Sequence, residues 1–196
     1  MKYFALLFVL VSSLASATTI LVMGDSLTEG YHLAKEEAYP YLIEQELKKT
    51  NPDIKVINGG VSGSTSASAD KRLDWYLKAK PEIMVLALGA NDGLRGVKPE
   101  ETEKNLDSTI TKAKSKGIKV ILAGMKMPPN FGKEFTEKFG KIFPTLAKKH
   151  HLIFIPFILE GVASDPKLNL PDGIHPNPEG HKIMAKTVLK YLRPEL

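Results

Sequence analysis

The sequence contains no cysteine. That excludes a disulfide framework, a thiolate metal site, a nucleophilic thiol and a lipid-modified cysteine anchor, so any covalent catalysis must fall to another side chain. It also lacks an apolar run of the roughly 20 residues that a helix needs to cross a bilayer, and it has no internal repeat, low-complexity tract or linker that would divide the chain. The 27 Lys and Arg exceed the 22 Asp and Glu, but they form no concentrated basic stripe, so nucleic acid is not an expected partner. No P-loop of the form G-x-x-x-x-G-K-[ST] occurs, nor a G-x-G-x-x-G fingerprint after the first strand, so no nucleotide cofactor is implied. The composition that remains, 43% hydrophobic and 25% charged over 196 residues, suits one globular domain large enough to bury a continuous core.

The first residues read as a removable leader. Lys2 precedes a run from Tyr3 to Leu14 that is apolar except for Ser12 and Ser13, and Ala15-Ser16-Ala17 supplies the small residues of an A-x-A cleavage site. The expected division is a signal peptide over residues 1–17, cleaved after Ala17, and a mature domain over residues 18–196. Such a chain works in the periplasm or outside the cell, and no stable membrane insertion is expected after cleavage.

Beyond the leader, five short apolar runs bounded by Gly, Pro, Asn or Asp predict strands: Thr19 to Met23, Lys55 to Asn58, Ile83 to Leu88, Lys119 to Ala123 and Leu152 to Ile155. Segments with helical spacing lie between and after them, at Tyr41 to Lys49, Ser66 to Lys78, Pro99 to Lys116, Lys133 to His150 and Pro178 to Leu192. Pro99 with Glu100 and Glu101 marks one helix start, Gly117 marks its end, and Asn177-Pro178-Glu179 marks another start. Strands apolar on both faces that alternate with helices predict a mostly parallel five-stranded sheet in a three-layer α/β/α sandwich. Ligands of such sheets bind outside the carboxyl ends of the strands, so the chemistry is sought in the loops there.

Four of those loops carry reactive or polar groups. Gly24-Asp25-Ser26-Leu27-Thr28-Glu29-Gly30 puts a serine hydroxyl directly after the first strand. Gly59-Gly60-Val61-Ser62-Gly63 lets backbone approach a ligand closely. Gly89-Ala90-Asn91-Asp92-Gly93 offers a side-chain amide to a developing oxyanion, although Asn-Asp-Gly is also ordinary turn chemistry. In Asp172-Gly173-Ile174-His175-Pro176 a carboxylate three residues ahead of a histidine can hold its Nδ1–H and leave Nε2 as a base. Among the five histidines only His175 has this arrangement; His150 and His151 suit a helix C-terminus, and His32 and His181 suit surface or packing positions. A serine, a glycine-rich turn, an asparagine and an Asp-x-x-His pair on one sheet edge is the constellation that acyl transfer requires.

On these four blocks the chain resembles the SGNH (GDSL-type) hydrolase superfamily, and in Gly30-Tyr31, Thr65-Ser66, Leu94-Arg95-Gly96 and Asn177 it is most similar to the periplasmic thioesterase I/protease I/lysophospholipase and arylesterase group. The resemblance spans almost the whole mature chain. It departs from that group at Ser64, where aspartate is usual, and at Ala90, where glycine is common. It implies a flavodoxin-like fold and a cofactor-free, metal-free triad with Ser26 as nucleophile, His175 as base and acid, and Asp172 as its orienter. It also implies an oxyanion hole from the N–H groups of Ser26 and Gly63 and the amide of Asn91. The expected substrate is a small acyl ester or thioester, of short to medium chain length, or a lysophospholipid, bound along Leu94, Met127, Pro129, Phe131 and Ile174. A monomer is expected. A carbohydrate O-deacetylase on the same triad is the second reading, although the single Trp75 lies in a predicted helix away from the loops; a non-catalytic acyl-binding module is the third.

Overall fold

The computed structural model describes residues 18–196; the leader assigned to residues 1–17 lies outside them. Five strands, β1 (Thr19–Gly24), β2 (Lys55–Gly60), β3 (Ile83–Ala87), β4 (Lys119–Ala123) and β5 (Ile153–Ile155), form one sheet in the order β2-β1-β3-β4-β5. Every pairing is parallel, with Ile20 beside Val56 and Ile83, and Met84 beside Val120. The helices are α1 (Ser26–Glu29), α2 (Tyr39–Lys48), α3 (Ala69–Tyr76), α4 (Ala90–Leu94), α5 (Pro99–Ser115), α6 (Lys133–His150) and α7 (Pro178–Leu192). Helices α2 and α7 pack together on one face of the sheet, and α3, α5 and α6 pack together on the other. The three-layer sandwich predicted from the alternation of periods is therefore present.

The strands are buried because both of their faces are covered. Ile20, Leu21, Val22 and Met23 of β1 and Met84, Val85 and Leu86 of β3 are fully buried, and Phe139, Ile142, Phe143 and Leu146 from α6 close one face while Met184, Val188 and Leu192 from α7 close the other. Helix ends follow local chemistry. The Asn177 side chain accepts the Glu179 and Gly180 N–H groups and starts α7.

The structure differs from the sequence expectation at the short elements. The segment Ser66 to Lys78, expected as one helix, is a 3-10 turn at Ser66–Ser68, then α3, then a second 3-10 turn at Leu77–Ala79 ended by Lys80 in the left-handed region. The first expected helix, from Tyr41, is α2 and starts two residues earlier at Tyr39, with Pro40 in its first turn. Helices α1 and α4 fall in segments read as loops, because four or five residues cannot display a 3.6-residue period. Both sit where the strand order reverses, after β1 and β3, at the switch point where open sheets bind ligands. Gly60 permits the closeness of β2 to α1: a Cβ there would lie 2.1 Å from the Glu29 nitrogen.

Candidate active site

Ser26 opens α1. Its N–H is the first of the helix and has no intrahelical acceptor, and the helix is capped by Asp25, whose Oδ1 accepts the Leu27 N–H at 3.0 Å. The Ser26 Oγ lies 2.9 Å from His175 Nε2, although the two residues are 149 positions apart. His175 Nδ1 in turn lies 2.8 Å from Asp172 Oδ2, and Asp172 Oδ1 accepts the N–H groups of Ile174 and His175, each at 3.0 Å. Burial would raise the Asp172 carboxyl, but those N–H groups and the imidazole hold it down at about 2. It therefore stays ionised against His175, which leaves Nε2 to face the serine hydroxyl. The histidine loop is itself anchored: the Leu170 N–H donates to the His175 carbonyl at 2.7 Å, and the Asn169 amide donates to the carbonyls of Val162 and Asp165.

Asn91 lies in α4 with its Nδ2 donating to the Ser64 carbonyl at 3.1 Å, which uses one amide hydrogen and orients the other. Gly63 has φ +74 in a tight turn closed by the Ser64 N–H on the Val61 carbonyl, a conformation for which glycine is the default residue. Arg95 donates to the Gly63 carbonyl at 2.9 Å. The buried Asp92 ties the same pieces together, accepting from the Ser66 N–H at 2.9 Å, the Ser66 hydroxyl at 2.5 Å and the Thr102 hydroxyl at 3.2 Å. The structure thus brings Ser26, Gly63, Asn91, Asp172 and His175 to one edge of the sheet.

A cleft of about 170 Å³ opens beside Ser26, Asn91 and His175, and its walls include Leu94, Met127 and Ile174. Pro129 and Phe131 do not line it. They belong to a 3-10 turn that carries the chain toward α6, and the Phe131 ring packs on Phe135 with centroids 6.3 Å apart; Pro128 lies in the cleft wall instead. The other wall comes from Phe157, Leu159 and Ala163, after β5, where the sequence offers no motif. A larger groove of about 680 Å³ runs between α2 and α7 and is rimmed by lysines, but it contains none of these groups.

Several site neighbours have no role that the sequence motifs assign. The half-exposed Tyr31 ring lies 4.4 Å, centroid to centroid, from that of His175. Beneath it, Thr28 and Tyr39 hydroxyls are 2.8 Å apart, and the Tyr39 N–H donates to His181 Nδ1 at 3.1 Å. His181 is a packing histidine, as its context implied: burial, reinforced by the charge of His175, holds it down at about 4.

A pH effect on stability follows from His181. Its folded value lies below the ordinary 6.5, so the unfolded chain binds the proton more readily, and the contribution present above pH 6.5 is lost as the pH falls toward 4. The stability advantage of the protein over His181→Asn is expected to shrink by about 2 kcal/mol between pH 7.5 and pH 4.5, measured by denaturant melts at both pH values. An unchanged gap contradicts the buried, neutral imidazole.

The GDSL-like Lipase/Acylhydrolase family model matches residues 22–183, which takes in every site residue named above. The chain belongs to the GDSL-like lipase/acylhydrolase family. It is 36% identical over 188 residues to an arylesterase of Vibrio mimicus, covering 95% of this chain and 94% of the relative. It is 35% identical over 192 residues to thioesterase 1/protease 1/lysophospholipase L1 of Escherichia coli, covering 97% and 91%. A crystal structure of TesA superposes with a TM-score of 0.87 at 35% identity, over 91% of this chain and 100% of that one. The family's members are ester hydrolases by name, and this chain is a serine ester hydrolase of the same kind.

Proposed function

We propose that the chain hydrolyses short- to medium-chain acyl esters and thioesters, and lysophospholipids, through an acyl-Ser26 intermediate. The observation that carries this reading is the hydrogen-bonded series Ser26 Oγ, His175 Nε2, His175 Nδ1, Asp172 Oδ2, at 2.9 and 2.8 Å, opening on an apolar cleft. Ser26 Oγ attacks the acyl carbonyl while its proton passes to His175 Nε2. The oxygen of the tetrahedral intermediate is held by the N–H groups of Ser26 and Gly63 and the Asn91 amide. His175 then returns the proton to the departing alcohol or thiol, and a water activated by His175 releases the acid. The relatives named for arylesterase, thioesterase and lysophospholipase activities support the same range of leaving groups.

Leu94 and Ile174 stand at the cleft with 42% and 50% of their surface exposed. Apolar side chains left in water beside a reactive serine suit an acyl chain that covers them. Trp75 is exposed on α3 under the Lys78 ammonium and takes no part in the cleft, so the single tryptophan supplies no platform there for a carbohydrate substrate. Among the described residues no helix is long and apolar enough to cross a membrane. The leader pattern at residues 1–17 supports a periplasmic or secreted protein.

The purified protein, assayed on p-nitrophenyl esters of increasing length, an acyl-CoA, a lysophospholipid and acetylated xylan, is expected to give its highest kcat/KM on acyl chains of short to medium length. Activity confined to acetylated xylan replaces this reading with a deacetylase, and hydrolysis of none overturns it.

A further inference from the structure

Among the described residues, three buried side-chain nitrogen and oxygen atoms have no hydrogen-bond partner: Asp25 Oδ2, Arg72 Nε and Arg72 Nη1. They belong to two opposite charges at the carboxyl ends of β1 and β2. Asp25 is 1% exposed and directly precedes Ser26. Arg72 reaches in from α3, donating through Nη2 to the Gly24 carbonyl at 2.7 Å and also to the Gly59 carbonyl. Buried polar groups are nearly always paired, so a concentration of unpaired ones at a single place calls for a reason.

The cap of α1 is not that reason. Capping uses one acceptor, Oδ1, and asparagine caps as well as aspartate without burying a charge. What the cap leaves unexplained is the second oxygen and the negative charge, and the groups that face them define what that charge can do. Arg72 from α3, with the Tyr76 phenol beside it, lies on one side; Tyr39 from α2, bonded to Thr28 and backed by His181 of α7, lies on another; His175 is the third. Arg72 is held by the two strand carbonyls, and Tyr39 is neutral because burial pushes its phenol up. The only charge in this set that appears and disappears during the proposed reaction is the one on His175.

We propose that Asp25 is a positioning residue of this site: its buried carboxylate caps the turn that presents Ser26 and stabilises the imidazolium formed on His175, with Arg72 as the fixed opposite charge on its other side. The inference rests on the roles proposed above for Ser26 and His175. Asp172 stabilises the same imidazolium by direct hydrogen bond; Asp25 acts on it through space, from beneath the serine. Burial raises the Asp25 carboxyl to about 6, against the lowering pull of the Leu27 N–H, its own N–H, and the charges of His175 and Arg72. The second carboxylate is therefore ionised at neutral pH and discharged by mild acid.

At an effective dielectric of about 20 a unit charge is worth about tenfold in rate even at about 12 Å, so tenfold is a floor for Asp25, whose neighbour Ser26 bonds His175. The test is the pH dependence of kcat/KM on p-nitrophenyl butyrate for the protein and for Asp25→Asn, which keeps the cap acceptor. The ratio of the two is expected to be about tenfold or more at pH 8 and to fall to about one below pH 5, with its midpoint near 6. A ratio that stays constant across pH reduces Asp25 to a structural cap, and a ratio of one throughout removes it from the mechanism; either overturns the inference while leaving the hydrolase reading intact. If Asp25→Asn does not fold, carboxyl carbon NMR of Ser26→Ala decides the point: the Asp25 titration, near 6, is expected to move up when His175→Gln is added, and a titration that does not move overturns the inference.

Discussion

Ser26→Ala is expected to lower ester hydrolysis by about 10⁶-fold, the scale of removing the nucleophile from a serine triad, and to abolish labelling by a fluorophosphonate probe. The fold should tolerate the change. The Ser26 hydroxyl is bonded to His175 alone, the cap of α1 belongs to Asp25, and the residue is 9% exposed. Circular dichroism and the melting temperature should therefore match those of the unaltered protein, which separates loss of chemistry from loss of structure. Equal labelling of both proteins would move the nucleophile elsewhere, since a probe that forms a bond to phosphorus reports the attacking oxygen directly.

Asn91→Ala is the second large effect. Removing one oxyanion donor costs about 10²- to 10³-fold in kcat, and the loss should fall on kcat with KM little changed, because the donor meets charge that develops only in the transition state. The amide's other partner, the Ser64 carbonyl at 3.1 Å, would lose its donor. That loop keeps its remaining restraints, from Asp92 to Ser66 and from Arg95 to Gly63, so the oxyanion loop should hold its shape. Full activity in Asn91→Ala would remove it from the oxyanion hole. A rise in KM with kcat unchanged would instead make it a ground-state contact.

How much of this was legible beforehand differs from part to part. The alternation of apolar runs with helical periods predicted the layers, and the observed sheet order realises them. Asp172 and His175 were a readable pair because both lie within one short turn, where sequence spacing and spatial distance are nearly the same quantity. Phe131 and Pro129 were misplaced for the opposite reason. An apolar loop after a strand does not say which of its residues face the cleft, and here a 3-10 turn sends Phe131 against α6 while Met127 and Pro128 take the wall.

The sequence by itself determined the strands and longer helices, the sheet edge on which chemistry would sit, and the identity of the reactive groups, because periodicity and turn chemistry act over a few residues. Only the tertiary structure decided which distant groups meet. Ser26 and His175 reach 2.9 Å because β1 is an interior strand, between β2 and β3, and the last loop returns to its carboxyl end. Asp25 looked like any turn aspartate until the packing of Arg72, Tyr39 and His175 around it became visible. Burial and the field at a buried carboxylate are sums over neighbours brought together by the fold, and no local pattern in the chain encodes that sum.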